Sequence, residues 1–305
     1  MVIVDSLPHP RQLPPTAVAL GLFDGLHRGH QAVIRRAVGV SGLTPAVFTF
    51  RYDEEAAITK KNYARILSPA LKMKLLEQLG ARIVFQPPFS KIMSMEPAEF
   101  FYKIIVQFMR AGAVVCGEDF RFGKNAAGDA LLLRKLCEEN GIRFTTVPPV
   151  EDEGKPVSST RIREALREGD VETANRLLGY PFMTDGTVVH GQHMGHALGF
   201  PTINQLFQPG QLIPRFGVYA TIAEFEGRRY IGATDIGVKP TVGDSFRPAA
   251  ETHLLDFDRE IYGAEVTLSY YAFLRGERKF QSLSELTETV LANAEQARAL
   301  LKDRI

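Results

Sequence analysis

Residues 17–30 read Ala-Val-Ala-Leu-Gly-Leu-Phe-Asp-Gly-Leu-His-Arg-Gly-His, and this stretch decides the fold of the first half of the chain. It begins as a short apolar run closed by glycines, which is typical of a strand buried in a parallel sheet. From Gly29 onward the apolar residues follow a helical period instead. The pattern therefore predicts that two histidines, His27 and His30, lie on a turn between a strand and a helix.

Such a turn is a favourable place for a phosphate group. Backbone N–H groups and the positive end of the helix dipole meet at a helix N-terminus, so an anion is attracted there before any side chain acts. Gly29 leaves room for the backbone to approach a ligand closely. The alternatives are that His27 and His30 pack in the core or share a metal, although no third Cys or His ligand stands nearby in the sequence.

The first half continues as short apolar runs that alternate with helical stretches. The predicted strands are 17–22, 46–50, 82–85, 113–116 and 143–147, and the predicted helices are 30–38, 68–79, 97–110, 128–140, 160–167 and 170–178. Alternation at this spacing predicts a doubly wound, Rossmann-like parallel sheet of the α/β class, in which ligands bind beyond the carboxyl ends of the strands. The histidine turn follows such an end.

Past Pro181 the pattern changes to a period of two. The predicted strands are 217–225, 228–234, 249–257 and 265–273, which read as a small antiparallel β-barrel. An apolar stripe then predicts a C-terminal helix that docks on the barrel. The stripe consists of Leu283, Leu286, Val290, Ala294, Ala297 and Leu301. Pro181 and Gly186 interrupt both periods, so we place the domain boundary between 1–182 and 183–305.

Composition limits the class of protein. At 305 residues the chain is comfortable for two domains, and 45% hydrophobic with 23% charged residues is ordinary for a soluble globular protein. Residues 1–183 hold 24 basic and 20 acidic residues and the remainder 12 and 15, so neither half is a nucleic-acid surface by charge. Two isolated cysteines, Cys116 and Cys137, favour reduced thiols and a cytoplasmic location. No signal pattern is seen, and no apolar run reaches the ~18 residues of a membrane span.

A second predicted phosphate contact begins with three hydroxyl residues, Ser158, Ser159 and Thr160, at the start of a helix. Helix capping is one interpretation of them. However, Arg161 and Arg163 oppose the helix dipole in the first turn by roughly 0.3–1 kcal/mol each. A pyrophosphate bound there would reverse that sign and turn both arginines into ligands.

The second half has a phosphate site of its own. Glycines at 191, 195 and 199 form a loop that exposes backbone N–H groups to phosphate oxygens. Thr202 and Asn204 follow two residues apart on an extended segment and therefore point the same way. Their oxygens suit Mg²⁺, with ATP phosphates completing its shell.

Glu251 begins a predicted strand in which alternation places His253, Leu255 and Phe257 on the same face. A carboxylate at the head of an otherwise apolar face is out of place. The alternatives are a functional carboxylate and a strand-end glutamate in solvent.

Several of these stretches resemble the bifunctional riboflavin kinase/FMN adenylyltransferase (FAD synthetase) family. The first half carries Gly-x-Phe-Asp-Gly-x-His-x-Gly-His at 21–30 and Ser-Ser-Thr-Arg-Ile-Arg at 158–163. The second carries Gly-Phe-Pro-Thr-x-Asn at 199–204, which is the riboflavin kinase signature. The histidine pattern is shared with other nucleotidyltransferases, whereas the kinase signature is more specific. The resemblance covers nearly the whole chain.

The resemblance implies an enzyme that phosphorylates riboflavin to FMN and adenylylates FMN to FAD, using ATP and Mg²⁺. In the first half, His27, His30 and Arg161 stabilise the charge that develops on the phosphates. The implied ATP contacts are Gly21, Phe23, Asp24, Gly29, Ser158, Ser159 and Thr160. Asn125 and Asp129 are implied to contact the isoalloxazine edge. The alternative is a solvated turn in which Asp129 caps a helix.

For the second half, the resemblance implies that Glu251 is the base that accepts the proton of the ribityl 5′-hydroxyl. It also implies ATP contacts at Gly191, Gly195 and Gly199, a flavin contact at Tyr219 and metal contacts at Thr202 and Asn204. The family usually has Arg where this chain has His196, and Asn where it has Asp235. Both departures make the kinase pocket less positive.

Two alternatives to a bifunctional enzyme are kept. In one, only the adenylyltransferase is active and the barrel serves flavin binding or interaction. In the other, a nucleotidyltransferase fold acts as an RNA-binding regulator, which the near-neutral halves disfavour. The expected partners are therefore small molecules, with no nucleic acid and no membrane, and the sequence indicates no oligomeric state.

Overall fold

The computed structural model describes residues 1–6, 13–51, 64–190, 202–240 and 246–305. The chain forms two compact units, one made of Met1–Tyr63 and Lys72–Ser158 and the other of Ala64–Leu71 and Ser159–Ile305. The two units are defined by contacts between residues and do not test where one folding domain ends. The domain boundary after residue 182 therefore stays a prediction.

The first unit is built on a parallel sheet. Its described strands are β1 (Val2–Val4), β2 (Thr16–Leu20), β3 (Thr44–Phe48), β4 (Ile83–Phe85), β5 (Ala111–Gly117), β6 (Arg121–Phe122), β7 (Gly128–Asp129), β8 (Arg143–Val147), β9 (Glu151–Asp152) and β10 (Lys155–Pro156). Six of them pair in parallel in the order β1-β4-β3-β2-β5-β8. The β6–β7 and β9–β10 pairs are short and antiparallel. The predicted parallel α/β architecture is confirmed.

Strand β2 lies at the centre of this sheet, between β3 and β5. All five of its residues are buried, as expected of a strand covered on both faces. Later strands of the chain pair on both sides of β2, so its carboxyl end is a point where the strand order reverses. Ligands of open α/β sheets bind at such points. The turn with His27 and His30 follows directly at this end.

The described helices match the predicted stretches to within two residues at each end, except that the helix predicted over 97–110 is α-helical only in its first turn. They are α1 (Arg28–Val38), α2 (Pro69–Gln78), α3 (Pro97–Phe100), α4 (Ala130–Glu139), α5 (Ser159–Glu168), α6 (Val171–Leu178) and α7 (Leu283–Leu301). Helix α3 continues as a wider, π-helical stretch, Phe101–Phe108. Short 3₁₀ turns lie at Phe89–Lys91, Lys124–Ala126 and Lys302–Arg304. No helix in the described part of the chain is long and apolar enough to cross a membrane.

The second unit is built on an antiparallel sheet. Its strands are β11 (Phe182–Thr187), β12 (Thr202–Leu206), β13 (Gly217–Phe225), β14 (Arg228–Pro240), β15 (Phe246–Leu254) and β16 (Glu265–Gly276). They pair in the order β11-β16-β13-β14-β15-β12. Beyond β11, the backbone N–H of Val189 donates to the carbonyl of Asn204 in β12 at 2.8 Å, which brings the two sheet edges together. The predicted barrel-like sheet with a C-terminal helix is confirmed.

Helix α7 docks on this sheet through only part of the predicted stripe. Ala294, Ala297 and Leu301 are buried against residues of β13 and β14. Leu283, at the start of the stripe, is 61% exposed. The prediction that the whole stripe packs on the barrel is therefore wrong at its first turn.

In the two six-stranded sheets, periodicity does not predict β1 and β11, and it indicates β12 only as an extended segment. The two-residue strands β6, β7, β9 and β10 are not predicted either. Strand β11 hides its alternation because two of its three buried positions are Thr184 and Gly186 rather than large apolar residues. Strands β1 and β12 are short, with three and five residues. Strand β15 ends at Leu254, and Leu255 is buried beyond it. The prediction of one apolar face that includes Leu255 is therefore wrong.

Candidate active sites

The turn between β2 and α1 has a constrained backbone. Phe23, Gly25 and Leu26 have positive φ angles of 53°, 76° and 41°, which are uncommon for residues with side chains. Phe23 and Leu26 are at most 1% exposed, so their packing holds this conformation. The histidines are therefore presented by a preorganised turn.

The two histidines form a stacked pair at the start of α1. Their ring centroids lie 3.6 Å apart with 20° between the ring planes. His27 is the N-cap of the helix, and its Nδ1 accepts a hydrogen bond from the backbone N–H of His30 at 3.3 Å. A neutral His27 therefore carries its proton on Nε2, from which it can donate to a ligand.

His30 carries a polar atom without a partner. Its Nδ1 is buried and makes no hydrogen bond within the described residues. Burial, followed by the charges of His27 and Lys72, holds the pKa of His30 well below its usual value of 6.5. The ring is therefore neutral near pH 7, and a ligand with an acceptor or donor would satisfy the buried nitrogen.

Two glycines leave space for aromatic rings in this turn. A Cβ added at Gly29 would lie 3.2 Å from Cε1 and 3.3 Å from Nδ1 of His27. One added at Gly21 would lie 2.9 Å from the ring of Phe23. These glycines therefore have a steric role within the protein, whereas their predicted contact with ATP stays a prediction.

The charged group beneath this turn is Lys72 of α2, which sequence reasoning missed. Its Nζ donates to the carbonyl of Leu22 at 2.7 Å and to Oγ1 of Thr49 at 2.8 Å. The Thr49 hydroxyl in turn donates to the same Leu22 carbonyl at 2.8 Å. Burial lowers the pKa of Lys72 to about 8, against the opposing charge of Asp24. The local sequence carries no signal for this role, since the contact of Lys72 with Leu22 spans 50 positions.

An ion pair ties the first turn of α1 to the hairpin that leads to Ser158. Arg28, between the two histidines, contacts Asp152 at 3.0 Å. The side chain of Asp152 is only 8% exposed, and Val157 closes the hairpin by donating to the carbonyl of Val150 at 2.8 Å. Ser158, which is partly buried, follows directly in this unit.

Helix α5 begins the main part of the second unit with Ser159, Thr160 and Arg161. Thr160 is exposed, and Ser159 and Arg161 are partly buried. Arg163 donates from Nε to the carbonyl of Ala64 at 2.9 Å. The protein itself therefore engages this side chain, and the hypothesis that Arg163 is an anion ligand stays a prediction.

Asn125 and Asp129 lie between β6 and α4. Asn125 is exposed and has a left-handed backbone, with φ 56° and ψ 24°. Asp129 is the N-cap of α4, and its carboxylate accepts from the backbone N–H of Leu132 at 2.9 Å. That bond, with lesser help from Arg121, lowers the pKa of Asp129. The capping interpretation of Asp129 is thus observed, and the flavin contact of both residues stays a prediction.

In the second unit, the sheet brings three predicted site residues together. Thr202 donates from Oγ1 to Oε1 of Glu251 at 2.8 Å. Asn204 pairs with Glu251 and Thr202 with His253 in the β12–β15 register, so these side chains share one face. Asp235 of β14 pairs with Glu251 from the other side. A polar row therefore crosses three neighbouring strands.

The oxygens offered by Thr202, Asn204 and Glu251 are hard donors, which fits Mg²⁺. In the ranges that the structure describes, no three His, Cys, Asp or Glu side chains group as a metal site. A cation bound by this row therefore needs further oxygens from its ligand, as a phosphate would supply.

Comparison with known proteins matches each half of the chain to a family. An FAD synthetase family model matches residues 9–161, and a riboflavin kinase family model matches residues 178–301. The bifunctional riboflavin kinase/FMN adenylyltransferase of Bacillus subtilis is 36% identical over 290 residues, which cover 92% of this chain and 91% of that protein. The chain belongs to the bifunctional riboflavin kinase/FMN adenylyltransferase family.

A further relative carries the same name, and a solved structure shares the fold. The Escherichia coli K12 protein of the same name is 33% identical over 287 residues, which cover 92% of this chain and 91% of that protein. A crystal structure from Streptococcus pneumoniae, described as a macrolide-efflux protein, has a TM-score of 0.86 at 30% identity. That likeness covers 98% of this chain and 99% of the other. The family resemblance predicted from sequence is confirmed.

Some residues predicted from the family have a structural role or lie outside the described residues. Tyr219 is fully buried, and its hydroxyl donates to the carbonyl of Arg215 at 2.6 Å. Its ring packs edge-to-face against Tyr270 and Phe273. Packing accounts for these contacts, and a flavin contact at Tyr219 stays a prediction. Gly191, Gly195, Gly199 and His196 lie outside the residues that the structure describes.

Proposed function

We propose that this chain catalyses two successive ATP-dependent steps on flavins. The second half phosphorylates riboflavin to FMN, and the first half joins FMN to the adenylyl group of ATP, giving FAD and pyrophosphate. The observation that carries the proposal is the pairing of a family match with a matching polar cluster in each half: the histidine turn in one and the Thr202–Glu251 row in the other.

In the adenylyl transfer, an oxygen of the FMN phosphate attacks the α-phosphorus of ATP, and the bond to pyrophosphate breaks. No base is needed because the attacking phosphate is already ionised. The proton on Nε2 of His27 and the unsatisfied Nδ1 of His30 support a role in hydrogen bonding to the phosphates as charge shifts between them. Ser158, Ser159, Thr160 and Arg161 are the proposed additional phosphate contacts.

The preorganised turn supports this role energetically. Because Phe23 and Leu26 are packed in left-handed backbone conformations, the histidines need little reorganisation when substrate binds. A donor fixed in this way contributes about 10² to 10³ in rate by analogy with oxyanion sites.

In the kinase step, Glu251 accepts the proton of the ribityl 5′-hydroxyl as that oxygen attacks the γ-phosphorus of ATP. The bond from the γ-phosphorus to the β,γ-bridging oxygen breaks, and ADP leaves. The hydrogen bond from Thr202 supports this role because it orients the carboxylate before substrate arrives. Thr202 and Asn204 are the residues that would hold Mg²⁺, which neutralises charge on the ATP phosphates when bound.

The proposal also keeps two predictions that rest on composition, namely a cytoplasmic enzyme with reduced thiols and the lack of a nucleic-acid partner. Burial raises the pKa of both Cys116 and Cys137 to about 12, which makes them unreactive at neutral pH.

The test is incubation of the purified full chain with ATP and Mg²⁺ and, in parallel, with riboflavin or with FMN, with the products resolved by chromatography. We expect FMN to appear first and FAD to follow. A chain that makes FAD from FMN but no FMN from riboflavin is an adenylyltransferase with an impaired barrel. A chain that changes neither flavin refutes the proposal.

A further inference from the structure

The ammonium group of Lys72 is a charged group that the proposed chemistry leaves unused. It lies under the histidine turn, where it meets the Leu22 carbonyl and the Thr49 hydroxyl at 2.7 and 2.8 Å. Lys72 is partly buried, and a lysine is placed in such a position only with hydrogen bonds or charge to compensate. Both kinds of compensation are present, because Asp24 provides an opposing charge.

The Leu22 carbonyl is a sensitive point of the turn. Its oxygen belongs to the peptide that joins Leu22 to Phe23, and the plane of that peptide sets the φ angle of Phe23, which is 53°. Two donors, Lys72 and Thr49, hold this one oxygen. Without them the peptide is free to rotate toward a less strained conformation.

Phe23 carries this constraint to the histidines. Its ring lies edge-to-face on His30, with centroids 5.3 Å apart, and His30 is stacked on His27 at 3.6 Å. A shift of Phe23 therefore moves both rings of the pair. A series of direct contacts therefore connects Lys72, through the Leu22 carbonyl and Phe23, to the two histidines.

We infer that Lys72 is a positioning residue for adenylyl transfer, which holds the Leu22–Phe23 peptide and thereby sets the placement of His27 and His30. This inference rests on the proposed function of the first half. The charge of Lys72 has a second effect, because with the His27 ring it helps to keep the pKa of His30 low and the ring neutral.

The test compares Lys72→Met with Lys74→Met, an exposed lysine on the same helix. In the full chain, K72M should lower kcat for FAD formation from FMN about 10- to 100-fold with a smaller change in KM, because the ground state binds but the phosphates are misplaced. K74M should leave that rate unchanged. Riboflavin phosphorylation by the same K72M chain provides an internal control and should be unchanged.

Two further readouts separate positioning from a general loss of structure. Propylammonium added to Lys72→Ala should restore part of the FAD activity, because the amine can reoccupy the space of the missing side chain. The NMR titration of His30, assigned by its absence in His30→Gln, should move to higher pH in K72M, since a nearby cation has been removed.

Two results would overturn the inference. The first is FAD synthesis by K72M at the rate of the unmodified chain. The second is a loss of FAD activity in K72A that propylammonium does not relieve, combined with a His30 titration in K72M that does not move. These results differ from a failure of the proposed function, in which the unmodified chain itself forms no FAD from FMN and ATP.

Discussion

At the scale of single residues, the structure gives the two histidines of the turn different surroundings, although their spacing in the sequence does not distinguish them. His27 is tied by its Nδ1 to the backbone of His30, whereas His30 has a buried nitrogen without a partner. The first ring is oriented by the helix, and the second is held by burial between His27 and Phe23. We expect both to contact phosphate, but only His27 also caps the helix.

Replacing His27 should separate the two activities. His27→Ala removes a phosphate donor, so FAD formation from FMN should fall by roughly 10² or more, while FMN formation from riboflavin stays unchanged. Glu251→Gln should do the opposite, since loss of a general base costs about 10² to 10⁴. Both rates are measured on each purified variant. Equal damage to both steps by either change would show that the assignment of two separate sites is wrong.

Gly29→Ala tests whether ring placement limits the rate. The added Cβ would lie 3.2 Å from the His27 ring and push it by a few tenths of an ångström. FAD formation should fall about tenfold, although alanine is the better helix former by about 1 kcal/mol and the melting temperature should not drop.

The matched control is Gly39→Ala at the far end of α1, where an added Cβ makes only ordinary van der Waals contacts with the carbonyls of Arg35 and Arg36, at 3.5 and 3.7 Å. Its FAD activity should equal that of the unmodified chain. If Gly29→Ala retains full activity, the ring has more freedom than the packing indicates.

At the scale of elements, the second unit contains a row of buried hydroxyls. Thr221, Thr234 and Thr252 on three neighbouring strands are fully buried, with oxygen separations of 2.7 and 2.9 Å along the row. Thr221 donates to the carbonyl of Gly232, so Thr234 must donate to Thr221, and Thr252 to Thr234. The row joins strands β13, β14 and β15, and Thr252 is the neighbour of Glu251.

Breaking this row in the middle should destabilise the sheet. Thr234→Val keeps the shape but leaves the hydroxyl proton of Thr252 and an acceptor on Thr221 unpaired, at a cost of about 1–3 kcal/mol. Urea unfolding of the full chain measures the loss. Thr187→Val on the exposed end of β11 is the control. It removes only a solvent-exposed hydrogen bond to Glu265 and should stay within about 0.5 kcal/mol. An unchanged midpoint for Thr234→Val would mean that the row carries no net stability.

At the scale of the whole molecule, a different family model matches each half, so we expect the two steps to be separable between chains. A mixture of His27→Ala, which makes FMN, and Glu251→Gln, which consumes it, should form FAD from riboflavin much faster than either variant alone. FMN released by one chain is then used by the other. Chromatography of the mixture and of each variant measures this, and a mixture without FAD would indicate that FMN does not leave the chain that makes it.

The sequence was most informative where the signal is local. Apolar runs and helical periods predicted the parallel sheet, its helices and the position of the histidine turn. This is possible because a buried strand and an amphipathic helix each have a characteristic spacing of apolar residues in the local sequence. Motifs then identified the family. Strand β11 was missed because a strand that buries threonine and glycine has no such period.

What periodicity could not supply is contact between distant residues. The bond from Lys72 to Leu22 spans 50 positions, and that from Thr202 to Glu251 spans 49. The Thr202–Glu251 bond follows the strand register, while the packing of α2 beneath the turn places Lys72. The sequence alone therefore determined which segments fold and which residue types can bind phosphate. Only the tertiary structure decided which of them meet, because register and packing depend on the whole set of contacts rather than on neighbours along the chain.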